Sequence, residues 1–178
     1  MRMSLLPILC LTVLAGGMGV SNVSQGGCRQ IQGRSESRNQ ESQKPLDFTL
    51  PTLTDENKTM TLSEMTREHP VLLIFWATWC PACLKEISVL NGWHRKWEPR
   101  GLRIVSVDVE ESREHLLQFY NRRRIDYPVL LDRDGKVADR FGLVGLPVSI
   151  LLAKGGKIIY YGFSLPNLER HLDKGEWR

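Results

Sequence analysis

The chain has 178 residues, 42% of them hydrophobic and 25% charged, with a net charge of +4. That is the composition of an ordinary soluble domain, with room for one globular unit of roughly 130 to 140 residues once an N-terminal stretch is set aside. The charge is too small to argue for a nucleic-acid partner, and four cysteines in a chain this long do not make a disulfide framework.

Residues 1–20 carry Arg2, an apolar run from Leu5 to Ala15 that contains Cys10, and then small residues. This is the pattern of a signal peptide or an N-terminal membrane anchor; at about 16 residues the apolar part is short for a comfortable span. A lipid attachment at Cys28 is a third reading, disfavoured because Ser24-Gln25-Gly26-Gly27 separates it from the apolar core. All three place the following domain outside the cytoplasm, where a dithiol needs dedicated machinery to stay reduced. Residues 21–44, rich in Ser, Gln, Gly, Arg and Glu, read as a flexible linker. The domain is expected over 45–178.

Asp47 to Leu53 alternates as a strand, Asp55-Glu56-Asn57 turns, and Lys58 to Leu62 returns, which gives an N-terminal hairpin. Ser63 to Arg67 reads as a short helical turn at most. Val71 to Trp76 is apolar on both faces, the mark of a central strand covered on both sides. Leu84 to Trp97 is an amphipathic helix, and Leu102 to Val107 a second buried strand. Ser112 caps a helix to about Arg124, whose Arg122-Arg123-Arg124 complements the negative helix end. A strand at Tyr127 to Leu131, a turn at Asp132-Arg133-Asp134-Gly135 and a helical stretch through Val137, Ala138 and Phe141 follow. Pro147 to Ala153 and Lys157 to Gly162 flank Lys154-Gly155-Gly156 as a hairpin, and Leu165 to Lys174 closes the chain with a helix. The order describes an α/β domain: a mixed central sheet with helices on both faces and an antiparallel edge.

The chemistry concentrates at Trp79-Cys80-Pro81-Ala82-Cys83. A dithiol at the junction of a buried strand and a helix N-terminus is a redox site, because the free amides and dipole of the first turn stabilise a thiolate. Cys80, at or before the first turn and facing solvent, is the expected attacking thiol. Cys83, one turn in and better buried, is the expected resolving thiol. Pro81 suits a first turn that has no use for its missing donor. Trp79 is expected to cover the thiol from the side, whereas Trp76 reads as a core aromatic. Glu86, one turn beyond Cys83 on the same face, is either an acid–base partner with a raised pKa or a surface glutamate. Pro147 sits either at the first position of its strand or in a cis bond, which would expose Leu146 for backbone pairing with a substrate. A structural zinc site would need two more ligands at ligand spacing, and neither a metal nor a cofactor is expected.

Residues 75–86, Phe-Trp-Ala-Thr-Trp-Cys-Pro-Ala-Cys-Leu-Lys-Glu, together with Val144-Gly145-Leu146-Pro147 and the hairpin through Gly162, resemble the thioredoxin superfamily. The likeness is strongest to its exported TlpA, ResA and cytochrome-c-maturation branch and covers roughly residues 45–174. It implies a thioredoxin-like three-layer fold with an extra N-terminal hairpin (46–62) and a helix–strand insert (112–131). It implies catalytic roles for Cys80, Cys83, Glu86 and a cis Pro147, with Trp79, Pro81 and Leu146 at the substrate surface. Ordinary thioredoxins carry a buried aspartate where this chain has Ile74, which leaves proton handling to Glu86 or water. The implied function is a protein-disulfide reductase. Its implied partners are disulfide-bearing client proteins and a membrane thiol–disulfide electron donor. A thiol peroxidase or a copper-binding module using the same dithiol are the rivals.

Overall fold

The structure is a computed structural model and describes residues 47–173. The expected signal or anchor segment, the linker, Cys10 and Cys28 lie outside the described residues. Among the described residues no helix is long and apolar enough to cross a membrane.

The chain begins with a hairpin of β1 (Thr49–Pro51) and β2 (Thr59–Thr61), paired antiparallel. The next segment corrects the sequence reading. Leu62–Glu68 is a helix of two turns, α1, because Leu62 and Thr66 share one buried face and the Thr66 hydroxyl donates to the Leu62 carbonyl. The central sheet follows as β3 (Val71–Trp76), β4 (Arg103–Val109), β5 (Val129–Asp132), β6 (Val148–Leu152) and β7 (Ile158–Gly162). Its spatial order is β5-β4-β3-β6-β7, with β3, β4 and β5 parallel and β6 and β7 antiparallel.

Helices α2 (Pro81–Trp97), α3 (Arg113–Arg122) and α4 (Lys136–Arg140) connect successive strands from β3 to β6, and α5 (Leu168–Asp173) follows β7. Alternation along the buried strands sorts the core into two layers. Leu72, Ile74, Trp76, Ile104, Val129 and Leu131 meet α2, α3 and α5 through Ile87, Leu90, Leu116 and Leu168. Leu73, Phe75, Val105, Val107 and Leu130 meet the other layer, built from Phe48, Leu50, Leu62, Val137 and Ala138. This is the three-layer thioredoxin-like arrangement, with the hairpin and the α3–β5 insert added.

Two ends differ from expectation. Helix α3 stops at Arg122, since Arg123 is already extended, and Arg124 pairs instead with Asp126. Strand β5 starts two residues late, after Pro128, which has no amide to give to the ladder.

Candidate redox site

Strand β3, the central strand, delivers the chain to the carboxyl end of the sheet, and α2 starts a short turn later. Cys80 is the N-cap of α2: its backbone is extended and its sulfur accepts from the Cys83 amide at 3.2 Å. Pro81 occupies the first turn, where no amide donor is missed. Cys80 and Cys83 are joined in a disulfide, with Cα atoms 5.3 Å apart. The helical turn brings two cysteines three apart to bonding distance.

One expectation about this motif needs correction. Cys80 is 4% exposed and Cys83 3%, so the two are equally enclosed rather than one facing solvent. Both pack into the core layer under α2, alongside Trp76 and Ile87. Trp79 is 66% exposed, in the turn that the Cys80 amide closes on the Ala77 carbonyl. Trp76, by contrast, is a buried core aromatic set against Phe119.

Pro147 follows a cis peptide bond from Leu146. Val148 pairs with Phe75 in the antiparallel register, which puts Pro147 level with Trp76, at the sheet end where the Cys80 loop emerges. Leu146 is half-buried and packs against the layer that contains both sulfurs.

Glu86 is half-buried, and one of its carboxylate oxygens is enclosed with no partner among the described residues. Burial holds its pKa above the usual carboxylate range. Tyr127 lies close enough to feel its charge: burial first, and then Glu86, raise the tyrosine hydroxyl. Glu86 is thus neither a plain surface glutamate nor a fully sequestered one.

Two acids on the β4 side of the site were missed from the sequence. Glu111, in the loop after β4, accepts from the Thr78 amide and from the Thr78 hydroxyl, each at 2.6 Å, and His115 Nε2 stands 3.1 Å from that hydroxyl. Thr78 is two residues before Cys80, so Glu111 ties down the loop that presents the disulfide. Asp108, in β4 and 1% exposed, is the second. The strand preceding the site does lack a buried acid at Ile74, but the neighbouring strand supplies one. The available signal was position: the carboxyl ends of parallel strands are where sites gather in α/β sheets.

A disulfide at a helix N-terminus, beside a cis-proline loop and flanked by carboxyl groups, supports thiol–disulfide exchange. Comparison with known proteins agrees. A model of the AhpC/TSA family matches residues 42–161. The thiol-disulfide oxidoreductase ResA of Bacillus subtilis is 30% identical over 153 residues, covering 85% of this chain and 79% of that protein. The chain is a ResA-like member of the AhpC/TSA family. The ResA of Bacillus thuringiensis subsp. konkukian is 34% identical over 89 residues, 50% of this chain. There the match spans about half of the relative, 51% of its length. Solved structures share the fold. The thioredoxin domain of a thiol-disulfide oxidoreductase from Bacteroides vulgatus superposes with a TM-score of 0.65 at 21% identity, covering 75% of this chain and 96% of that one. StoA from Bacillus subtilis gives 0.61 at 20%, covering 75% and 96%.

Proposed function

We propose that this ResA-like chain is an exported protein-disulfide reductase, serving cytochrome c maturation or a related assembly pathway outside the cytoplasm. The observation that carries the reading is the Cys80–Cys83 disulfide at the start of α2, in a chain 30% identical to a thiol-disulfide oxidoreductase over 85% of its length. A charged Glu86, one turn beyond Cys83 on α2, would disfavour a thiolate there, and a dithiol whose thiolate is not stabilised gives up its electrons more readily.

In the reaction, the Cys80 thiolate attacks one sulfur of a client disulfide. A bond forms from Cys80 to that sulfur, and the other client sulfur leaves as a thiolate and takes a proton. Cys83 gives its proton to Glu86 and attacks the Cys80 sulfur; the second client sulfur leaves as a thiolate and takes that proton from Glu86. The client gains two electrons and the Cys80–Cys83 pair is left oxidised. A membrane thiol–disulfide carrier returns it to the dithiol. Pro147 and Leu146 offer backbone to the client on one side, and exposed Trp79 and Pro81 offer contact surface on the other.

The test is the redox potential of the couple, together with partner trapping by Cys83→Ser. We expect a couple far more reducing than the strong periplasmic oxidants, which lie near about −120 mV, and mixed disulfides at Cys80 with proteins carrying paired cysteines. A value near that oxidising figure would overturn the reductant direction. Membership of the AhpC/TSA family makes peroxide the second substrate to try. The enclosure of Cys80 and its immediate pairing with Cys83 predict slow peroxide turnover, and fast turnover would favour the peroxidase reading instead.

A further inference from the structure

Thiol–disulfide exchange as described uses the two sulfurs, Glu86 and the cis-proline loop, and leaves one buried acid without a task. Asp108 lies level with Trp76 on one side and Leu131 on the other, so its side chain shares the sheet face that α2 and α3 cover. Neither of its oxygens meets a donor among the described residues. The side chain within hydrogen-bonding reach is the Glu111 carboxylate, which is another acceptor. Two carboxylates in contact repel unless a proton lies between them. Glu111 is otherwise engaged with Thr78, through the amide and the hydroxyl.

We propose that Asp108 is a positioning residue of the redox loop: its carboxyl shares a proton with Glu111, and that proton keeps Glu111 seated on Thr78. The chain of contacts from Asp108 through Glu111 to Thr78 links the end of β4 to the segment that presents Cys80. Burial first, then the Glu111 contact and the charges of Glu111 and Asp132, push the Asp108 carboxyl up to about 9. The proton therefore stays in place through neutral pH. The groups that face the pair are few. Asp132, at the end of β5, is held by the Val137 and Ala138 amides. His115, from α3, stands 3.5 Å from Glu111. Neither supplies a cation that pairs with Asp108 directly. Loss of the shared proton sets two ionised carboxylates against each other in a water-poor site and drives Glu111 off Thr78. The inference rests on Cys80–Cys83 being the redox pair, and not on the direction in which electrons flow.

The experiment uses the full chain in its oxidised form, in which the two sulfurs do not titrate. The amide resonance of Thr78 is followed by NMR from neutral pH into the alkaline range. In the wild type it moves with a midpoint at about 9. In Asp108→Asn, which keeps a donor toward Glu111 but has no proton to lose, it holds still. Asp108→Ala removes the donor and displaces the resonance already at neutral pH. After reduction, the same variant exchanges with a small aromatic disulfide about tenfold more slowly, the cost of a misplaced reacting group, and Asp108→Asn restores the rate. A titration that persists in Asp108→Asn overturns the proposal. So does a Thr78 resonance in Asp108→Ala that matches the wild type. If Asp108→Ala fails to fold, the wild type and Asp108→Asn decide the matter between them. An oxidising potential for the couple would sink the reductant reading and leave these titrations untouched.

Discussion

Asp108 and Glu86 are both carboxyl groups that burial keeps from ionising freely. The Asp108 carboxyl holds its proton up to about 9 in the folded protein, against 3.8 for an ordinary aspartate. Across that window the folded state binds one more proton than the unfolded chain, so stability falls as pH rises, by at most about 1.4 kcal/mol per pH unit. Asp108→Asn removes the slope. We expect this variant to be more stable than the wild type at pH 8 by roughly 2 kcal/mol or more, with the two curves converging below pH 4. Denaturant titrations at several pH values check this, and parallel curves would show that Asp108 ionises normally. Glu86 is less buried and its effect belongs to the sulfurs. Its charge disfavours a neighbouring thiolate, so Glu86→Gln is expected to lower the pH at which the reduced thiols become reactive. Thiolate absorbance or alkylation rate against pH reads that shift directly.

The elements that carry the site were legible from the sequence to different degrees. Strand β3, helix α2 and the β6–β7 hairpin announced themselves through continuous apolar runs, helical periodicity and a glycine pair. Helix α1 did not, because seven residues carry too little periodicity to register; one buried leucine and one buried threonine decide it. The loop between β4 and α3 was also opaque, though it carries Glu111. Its course depends on Glu110, which adopts a left-handed conformation with φ of 61°, and on the cap of the helix that follows. Ser112 accepts from the His115 amide at 3.2 Å and so fixes where α3 begins. Ser112→Ala should cost about 1 kcal/mol, the usual worth of such a cap, as read from the shift in denaturation midpoint. Because the cap lies next to Glu111, the same variant is expected to weaken the hold on Thr78 and slow exchange. A loss of stability with an unchanged exchange rate would separate the cap from the site.

At the scale of the molecule, the topology gathers what the sequence disperses. Strands β3, β4 and β5 run parallel, so the Cys80 loop, Glu111 and Asp132 all emerge at one end of the sheet. The +4 charge of the chain gave no hint of this acidic end, since Asp108, Glu111 and Asp132 are spread over 25 residues of sequence and come together at the ends of paired strands. The sulfurs were legible because two cysteines three apart need no topology to find each other; their electrostatic surroundings were not. Those surroundings bear on the whole fold through a thermodynamic cycle. Oxidation and folding share the same four states, so a couple more reducing than its unfolded dithiol must have an oxidised form that is the more stable one. Each 30 mV of that difference corresponds to about 1.4 kcal/mol. The helix N-terminus at Cys80 favours a thiolate, and a charged Glu86 one turn beyond Cys83 opposes it. Because the proposed reducing couple requires the disulfide form to gain more from folding, the oxidised protein is expected to resist denaturant better than the reduced one. A variant carrying both Cys80→Ser and Cys83→Ser should follow the reduced curve. Unfolding the oxidised, reduced and double-variant proteins side by side measures the gap. A reduced form that outlasts the oxidised one would mean that the site stabilises its thiolate after all, and would make the couple an oxidant.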